Sequence, residues 1–167
     1  MNILVNTTVL SNFAAVGRLD LLRSLFRIVY IAQAVFEEVQ AGLDEGYAFY
    51  AGLETEIHPF CEDGWLRLIT LEGEEELNLF QSLPRKIHRG EAMSLAIAKH
   101  RGWRFLTDDH AARSKADELG VRKAGTLAVL VQAVDRSLVT LEEGNSLLRA
   151  MVAFNYQSPV TDLTELG

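Results

Sequence analysis

Residues 89–109 read RGEAMSLAIAKHRGWRFLTDD. A helix opens at Gly90 and Glu91, turns Met93, Ala96 and Ile97 inward, gathers Lys99 and Arg101 in its last turn and stops at Gly102. The basic residues suit the negative end of the helix dipole, and glycine suits the position just past a helix. WRFLT, residues 103–107, follows at once as a short apolar strand and runs into two acids, Asp108 and Asp109.

The same alternation extends in both directions. Residues 1–5 and 27–31 (RIVYI) have the Ile, Val and Leu content of buried strands, residues 65–71 (WLRLITL) alternate like a half-exposed strand, and VRKA from Val121 is a candidate fifth. Helical patterns fill the gaps. Residues 11–26 place Phe13, Val16, Leu19, Leu22 and Leu25 at steps of three, with Gly17 marking a break that leaves one helix or two. Residues 32–42 put Val35 and Val39 on one face and end at glycine. HAARSKADELG, TLAVLVQAVDRS and EEGNSLLRAMVAF supply three more, and the acidic EGEEEL opens another. In residues 44–63, Tyr47, Phe49 and Tyr50 suggest a helix or a partner-facing element, and the tail YQSPVTDLTELG carries no assigned element. Strands alternating with helices imply parallel pairing through right-handed crossovers, with helices on both faces. The expected fold is therefore a three-layer α/β/α sandwich with a mostly parallel sheet of four or five strands. In such sheets ligands bind at the carboxyl ends of the strands, where the strand order reverses.

The totals agree with one domain, residues 1–167, because a chain of 167 residues falls in the size range of a single core. No apolar run approaches the roughly 20 residues needed to span a bilayer, and the start lacks a signal-peptide pattern, so a cytoplasmic location without membrane contact is expected. The lone Cys61 excludes an internal disulfide or a cysteine metal cluster. The net charge of -7 repels nucleic acid overall. Residues 84–104, however, hold Arg85, Lys86, Arg89, Lys99, Arg101 and Arg104 with His88 and His100, and Glu91 is their only acid. That region is either a polyanion contact or a solvated helix face.

At the strand exits stand Asn6, Thr7 and Thr8, and then Thr107, Asp108 and Asp109. Two adjacent acids at a strand end repel each other unless a cation or basic group offsets them, which marks Asp108 and Asp109; capping of the helix near His110 is the alternative use. Glu91 lies in a first helical turn, where the dipole favours an acid in any case. Of Glu37 and Glu38, one must lie nearer the apolar face of Val35 and Val39.

NTTVLSNFAAVGRLDLL, VFEEV, RGEAMSLAIA, FLTDD and AGTLAVL, in this order, resemble the PIN-domain ribonucleases, and in detail the small prokaryotic PIN-like proteins associated with toxin-antitoxin modules. The resemblance is strongest over residues 1–135 and leaves 136–167 as a C-terminal helix and tail. It implies a three-layer fold and hydrolysis of an RNA phosphodiester with Mg²⁺ or Mn²⁺. It places metal ligands at Asn6, Glu38, Glu91 and Asp109, with Asp108 as a further catalytic acid. Thr7 and Thr107 match flanking hydroxyl positions. Arg89, Arg113 and Lys115 then hold flanking phosphates, although Arg113 serves equally well as the partner of a surface carboxylate. Apolar residues around Tyr47, Phe49 and Tyr50, or in the C-terminal helix Glu142 to Phe154, are the candidate surface for an antitoxin protein or a homodimer, with core packing as the alternative.

Asn6 departs from the pattern, which has Asp there. An amide retains a carbonyl oxygen but lacks the charge and adds an NH₂ group that must turn away from a cation. The chain is then a weakened or inactive relative that binds RNA or protein without cutting, or Asp108 compensates, or the residue is an engineered substitution. A purely structural alternative has Asn6 hydrogen-bonding the strand-helix turn. An aspartyl-phosphate mechanism and a dinucleotide site fit less well, because the first strand ends in no Asp and no P-loop or GxGxxG is present.

Overall fold

The computed structural model describes residues 1–166. Six strands, β1 (Ile3–Val5), β2 (Val29–Ala32), β3 (Ile57–His58), β4 (Leu66–Ile69), β5 (Arg104–Leu106) and β6 (Lys123–Ala124), form one sheet of order β3-β4-β2-β1-β5-β6. Every pairing is parallel. The sequence suggested four or five strands; the sixth is β3, two residues at the sheet edge, too short to carry an alternating pattern. Central β1 is buried along its whole length, as expected for a strand covered on both faces.

Eight helices pack on this sheet: α1 (Thr7–Ala15), α2 (Leu19–Phe26), α3 (Gln33–Asp44), α4 (Gly73–Ser82), α5 (Arg89–Arg101), α6 (His110–Leu119), α7 (Thr126–Asp135) and α8 (Leu141–Ala153). α5 crosses β1, β2 and β5 and is flanked by α3, α4 and α6, while α1, α2, α7 and α8 pack on one another. Residues 11–26 resolve into two helices because Gly17 takes φ +70, a conformation glycine adopts without the Cβ penalty. The first begins earlier than its apolar pattern, at Thr7, directly behind Asn6.

Residues 44–63 form two 3-10 turns, Ala48–Tyr50 and Leu53–Glu56, before β3. Tyr50 is buried there and faces Gly42 of α3, so this aromatic group mainly completes the core; Tyr47 alone of the three stays exposed. The polar tail is also part of the packing. Asn145 of α8 accepts a 2.8 Å bond from the Leu163 N–H and donates at 3.1 Å to Asp162, which seats Leu163 in the core.

The basic region divides in two. At the far end of α5, Arg101 makes two 2.9 Å bonds to the Glu76 carboxylate of α4 and stacks over Trp103, and Lys99 donates to the Leu119 carbonyl at 2.7 Å. These charges are spent on joining helices. Burial works against ionising Glu76, but the Arg101 guanidinium and the Glu72 N–H outweigh it and hold the carboxyl below its ordinary range. Arg85, Lys86, His88 and Arg89 lie at the other end, exposed in the approach to α5.

The sheet determines where the site lies. From β1 the chain moves to β2 on one side and later returns to β5 on the other, so the strand order reverses between β1 and β5. Val5 pairs with Leu106 in register, and the Asn6 N–H bonds the Leu106 carbonyl at 2.9 Å. Asn6 and Thr107 therefore leave the sheet side by side at its carboxyl edge, where an open parallel sheet places ligands.

Candidate active site

Asn6 occupies the N-cap position of α1, and its backbone carbonyl accepts the first helical bond, from Leu10, at 3.1 Å. Its side chain caps nothing. Hydrogen-bonding the strand-helix turn, the structural alternative for this residue, is thus not what the amide does. Instead Nδ2 donates to Thr107 Oγ1 at 3.1 Å and to Glu91 Oε1 at 3.4 Å. With Glu91 ionised its oxygens only accept, so the amide nitrogen faces Glu91 and the oxygen turns away from it. Asn6 Oδ1 is consequently the only buried side-chain nitrogen or oxygen among the described residues that lacks a partner.

Glu91 stands in the first turn of α5 and is 4% exposed. Its second oxygen accepts the His88 N–H at 3.3 Å. Burial, then the nearby Asp109 charge, push its carboxyl up to about 7 against the opposing pull of His88 and Asn6. An acid so raised lacks compensating positive charge.

Glu38, not Glu37, turns inward. It accepts the Thr7 hydroxyl at 2.6 Å and the Gly90 N–H at 3.2 Å, whereas Glu37 points out to an exposed ion pair with Arg89. A side chain at position 90 would collide with the Glu38 carboxylate and with Val35, so glycine is what lets α5 start against α3. Gly90→Ala is expected to displace Glu38 and cost about 1–3 kcal/mol as an overpacked contact. A urea titration of the variant checks this, and a wild-type midpoint would contradict the placement.

The two neighbouring acids part company. Asp109 turns back to cap α6, accepting the Ala112 N–H at 2.9 Å, and lies close enough to Glu91 to raise it. Thr107, fully buried between them, accepts from Asn6 and from the Asp109 N–H, both at 3.1 Å. Asp108 faces the opposite way, into α7, where it accepts the Thr126 N–H at 2.8 Å, the Thr126 hydroxyl at 2.5 Å and the Asn12 amide at 3.2 Å. Burial raises its carboxyl, and the bonds from Thr126 and Asn12 with the Arg113 charge oppose the rise. The geometry therefore does not bring Asp108 to the Asn6–Glu91 group, and compensation for the missing charge at Asn6 has no support from its position.

The expected phosphate contacts also sort unevenly. Arg113 donates to the Thr107 carbonyl at 3.0 Å and braces the strand end, and Lys115 pairs with Glu118 one helical turn away. Arg89 is exposed at the lip of the site in its pair with Glu37. Thr8, named at the first strand exit, accepts the Asp108 N–H at 3.1 Å through its hydroxyl, and sequence reasoning missed Asn12 and Thr126. The glycine-threonine pair that opens TLAVLVQ was the available signal for Thr126; nothing in the local pattern singles out Asn12.

Asn6, Glu91 and Asp109 lie near one another, and Glu38 is held to the side by Thr7 and Gly90; oxygen donors of this kind suit a hard cation such as Mg²⁺ or Mn²⁺. The unpartnered Asn6 Oδ1 and the raised Glu91 fit such an ion, the first because it lacks a hydrogen-bond partner and the second because its buried charge is not fully offset. These acids are not drawn into one tight group: among the described residues no three acids, histidines or cysteines stand together as a metal-holding group.

A parallel three-layer domain with acids from two helices and a strand end at the switch point has a nuclease-like architecture of the PIN type. A family profile described as the PIN domain matches residues 2–161, and the chain belongs to that family. No curated protein matches it. PIN domains generally use divalent metal ions, and the match extends past residue 135 into the packed tail. Among the described residues no helix is long and apolar enough to cross a membrane.

Proposed function

We propose that the chain is a divalent-metal-dependent ribonuclease of PIN type whose activity is limited by Asn6. The observation that carries this reading is the Asn6 oxygen left without a partner beside a carboxyl raised to about 7. Both features lose their cost when a cation binds.

Glu91 and Asp109 would hold the ion, the Asn6 oxygen would join them once its amide turns over, and Glu38, fixed by Thr7 and Gly90, would approach from α3. Bound Mg²⁺ or Mn²⁺ supplies Lewis acidity, which makes a water more acidic and offsets charge on the scissile phosphate. Thr107 holds the Asn6 amide and the Asp109 backbone in place through one hydroxyl. The exposed Arg85, Lys86 and Arg89 give the acid cluster a basic margin, where phosphates gain affinity without sequence choice.

A second reading has support in the same geometry. Both Glu38 oxygens are already engaged and Asn6 is neutral, which suits a non-catalytic RNA- or protein-binding module. Incubation of single-stranded RNA with the full chain in Mn²⁺ and in chelator separates the two. Cleavage in Mn²⁺ alone is expected; binding that ignores both chelator and Glu91→Gln would favour the module. The toxin-like role, a protein antitoxin, a cytoplasmic location and a homodimer are part of the proposal and rest on the family resemblance. Light scattering on the full chain should give the dimer mass, and a monomer at high concentration overturns that part.

A further inference from the structure

Asp109 also borders a cleft of about 610 Å³ between α1, the start of α6 and the turn after α8. Asp108 and Asp109 line it, and its lining includes no lysine or arginine. A phosphate entering there would meet the two carboxylates, with the His110 imidazole and otherwise neutral hydroxyls and amides around them. A flat, uncharged group would not be repelled.

The cleft also has an exposed aromatic face. Phe154 is 56% exposed where α8 ends, although most large apolar side chains of this chain are covered. Asn155, at φ +78, turns the chain back so that the Tyr156 N–H bonds the Met151 carbonyl at 3.1 Å. This brings Tyr156, half-buried, beside Asp108. Burial and the Asp108 charge push the Tyr156 phenol up, so it stays neutral. Past Tyr156 and Gln157 lies a second cleft of about 570 Å³, which has Arg113 and Lys123 in its lining. Leaving Glu91 and Asn6, a strand thus meets an aromatic seat flanked by Asp108 and Asp109 and then a cleft where Arg113 and Lys123, the latter paired with Asp117, stand with Asp108.

We propose that the first cleft seats the nucleobase next to the scissile phosphate of a single-stranded RNA, stacked on Phe154 with Gln157 at its edge. The proposal rests on the ribonuclease reading and names the part of the substrate that the site recognises. It requires an unpaired strand, because a base inside a duplex has no free face to offer. The cations of the second cleft then meet the following phosphate.

The test uses the full chain and a fluorescent single-stranded oligoribonucleotide in chelator, with anisotropy as the readout. Base-aromatic stacking predicts that Phe154→Ala weakens binding about tenfold. Phe154→Tyr should retain it. An oligonucleotide with one abasic position moved along its length should show one position that weakens wild-type binding to a similar degree, with no further loss in Phe154→Ala. Unchanged binding by Phe154→Ala, or equal losses with intact and abasic strands, overturns the base seat. Mn²⁺-dependent cleavage retained in that case leaves the ribonuclease reading standing. If neither the wild type nor Asn6→Asp binds or cuts RNA, both fall.

Discussion

Asn6→Asp is expected to raise Mn²⁺-dependent RNA cleavage about 100-fold, the scale on which a single well-placed electrostatic group acts in an active site. Position 6 leaves β1 in register with the end of β5, already buried and already aimed at Glu91. The substitution changes charge with almost no change in shape. It also replaces a donor by an acceptor 3.4 Å from Glu91 Oε1, so two carboxylates would share a buried site. Without metal this should cost about 2 kcal/mol, through the lost hydrogen bonds and through repulsion that only a shared proton relieves. For a domain of this size the loss lowers the melting temperature by about 4–8 °C. Mn²⁺ should reverse it, since an ion that binds only the folded state stabilises it by RT times the logarithm of one plus the ratio of free ion to its Kd. Thermal melts of wild type and variant in chelator and in Mn²⁺ read both signs. A variant that melts like wild type in chelator and gains nothing from Mn²⁺ would show that position 6 does not face a cation site.

The route to this expectation shows what the sequence made legible. Strand exits at Asn6 and Thr107 follow from short apolar runs that end in polar residues, and their adjacency follows once a parallel sheet is expected. The inward turn of Glu38 was half legible: helical period narrowed it to Glu37 or Glu38, and the deciding contact is the Gly90 N–H from a helix 52 residues away. The division of Asp108 from Asp109 was not legible. Adjacent residues leaving a strand point to opposite sides, but which side faces the acids depends on where α7 begins, and Thr126 lies 18 residues further on. The basic region misled for a similar reason. Its charges are contiguous in sequence, yet they sit at opposite ends of a 13-residue helix, about 20 Å apart, and only one end adjoins the site. Local spacing carries the elements and their polar termini; partners set by tertiary packing decide which of those termini act together.

Glu91→Gln separates catalysis from stability in opposite directions. Cleavage in Mn²⁺ should fall about 1000-fold, within the range assigned to a positioned acid-base group, because the carboxylate that holds the cation is lost while its shape remains. Stability of the metal-free protein should rise above neutral pH. The Glu91 carboxyl is raised from 4.5 to about 7 on folding, so the folded state holds that proton more tightly than the unfolded chain. Its contribution is full below the unfolded value, is lost as pH climbs from there through about 7, and stays lost above. With allowance for partial hydration, wild type should lose on the order of 2 kcal/mol between about pH 5 and pH 8 from this group. The glutamine variant should not show that pH dependence, since the side chain remains neutral, although its single oxygen can accept only one of the two bonds, from Asn6 or from the His88 N–H. Denaturant titrations at both pH values in chelator measure the difference, and saturating Mn²⁺ should shrink it by favouring the ionised acid in wild type. Equal pH dependence in the two proteins would remove Glu91 as the uncompensated charge. Wild-type cleavage by the variant would remove it from the metal set, and the oxygen left bare at Asn6 would then need another explanation.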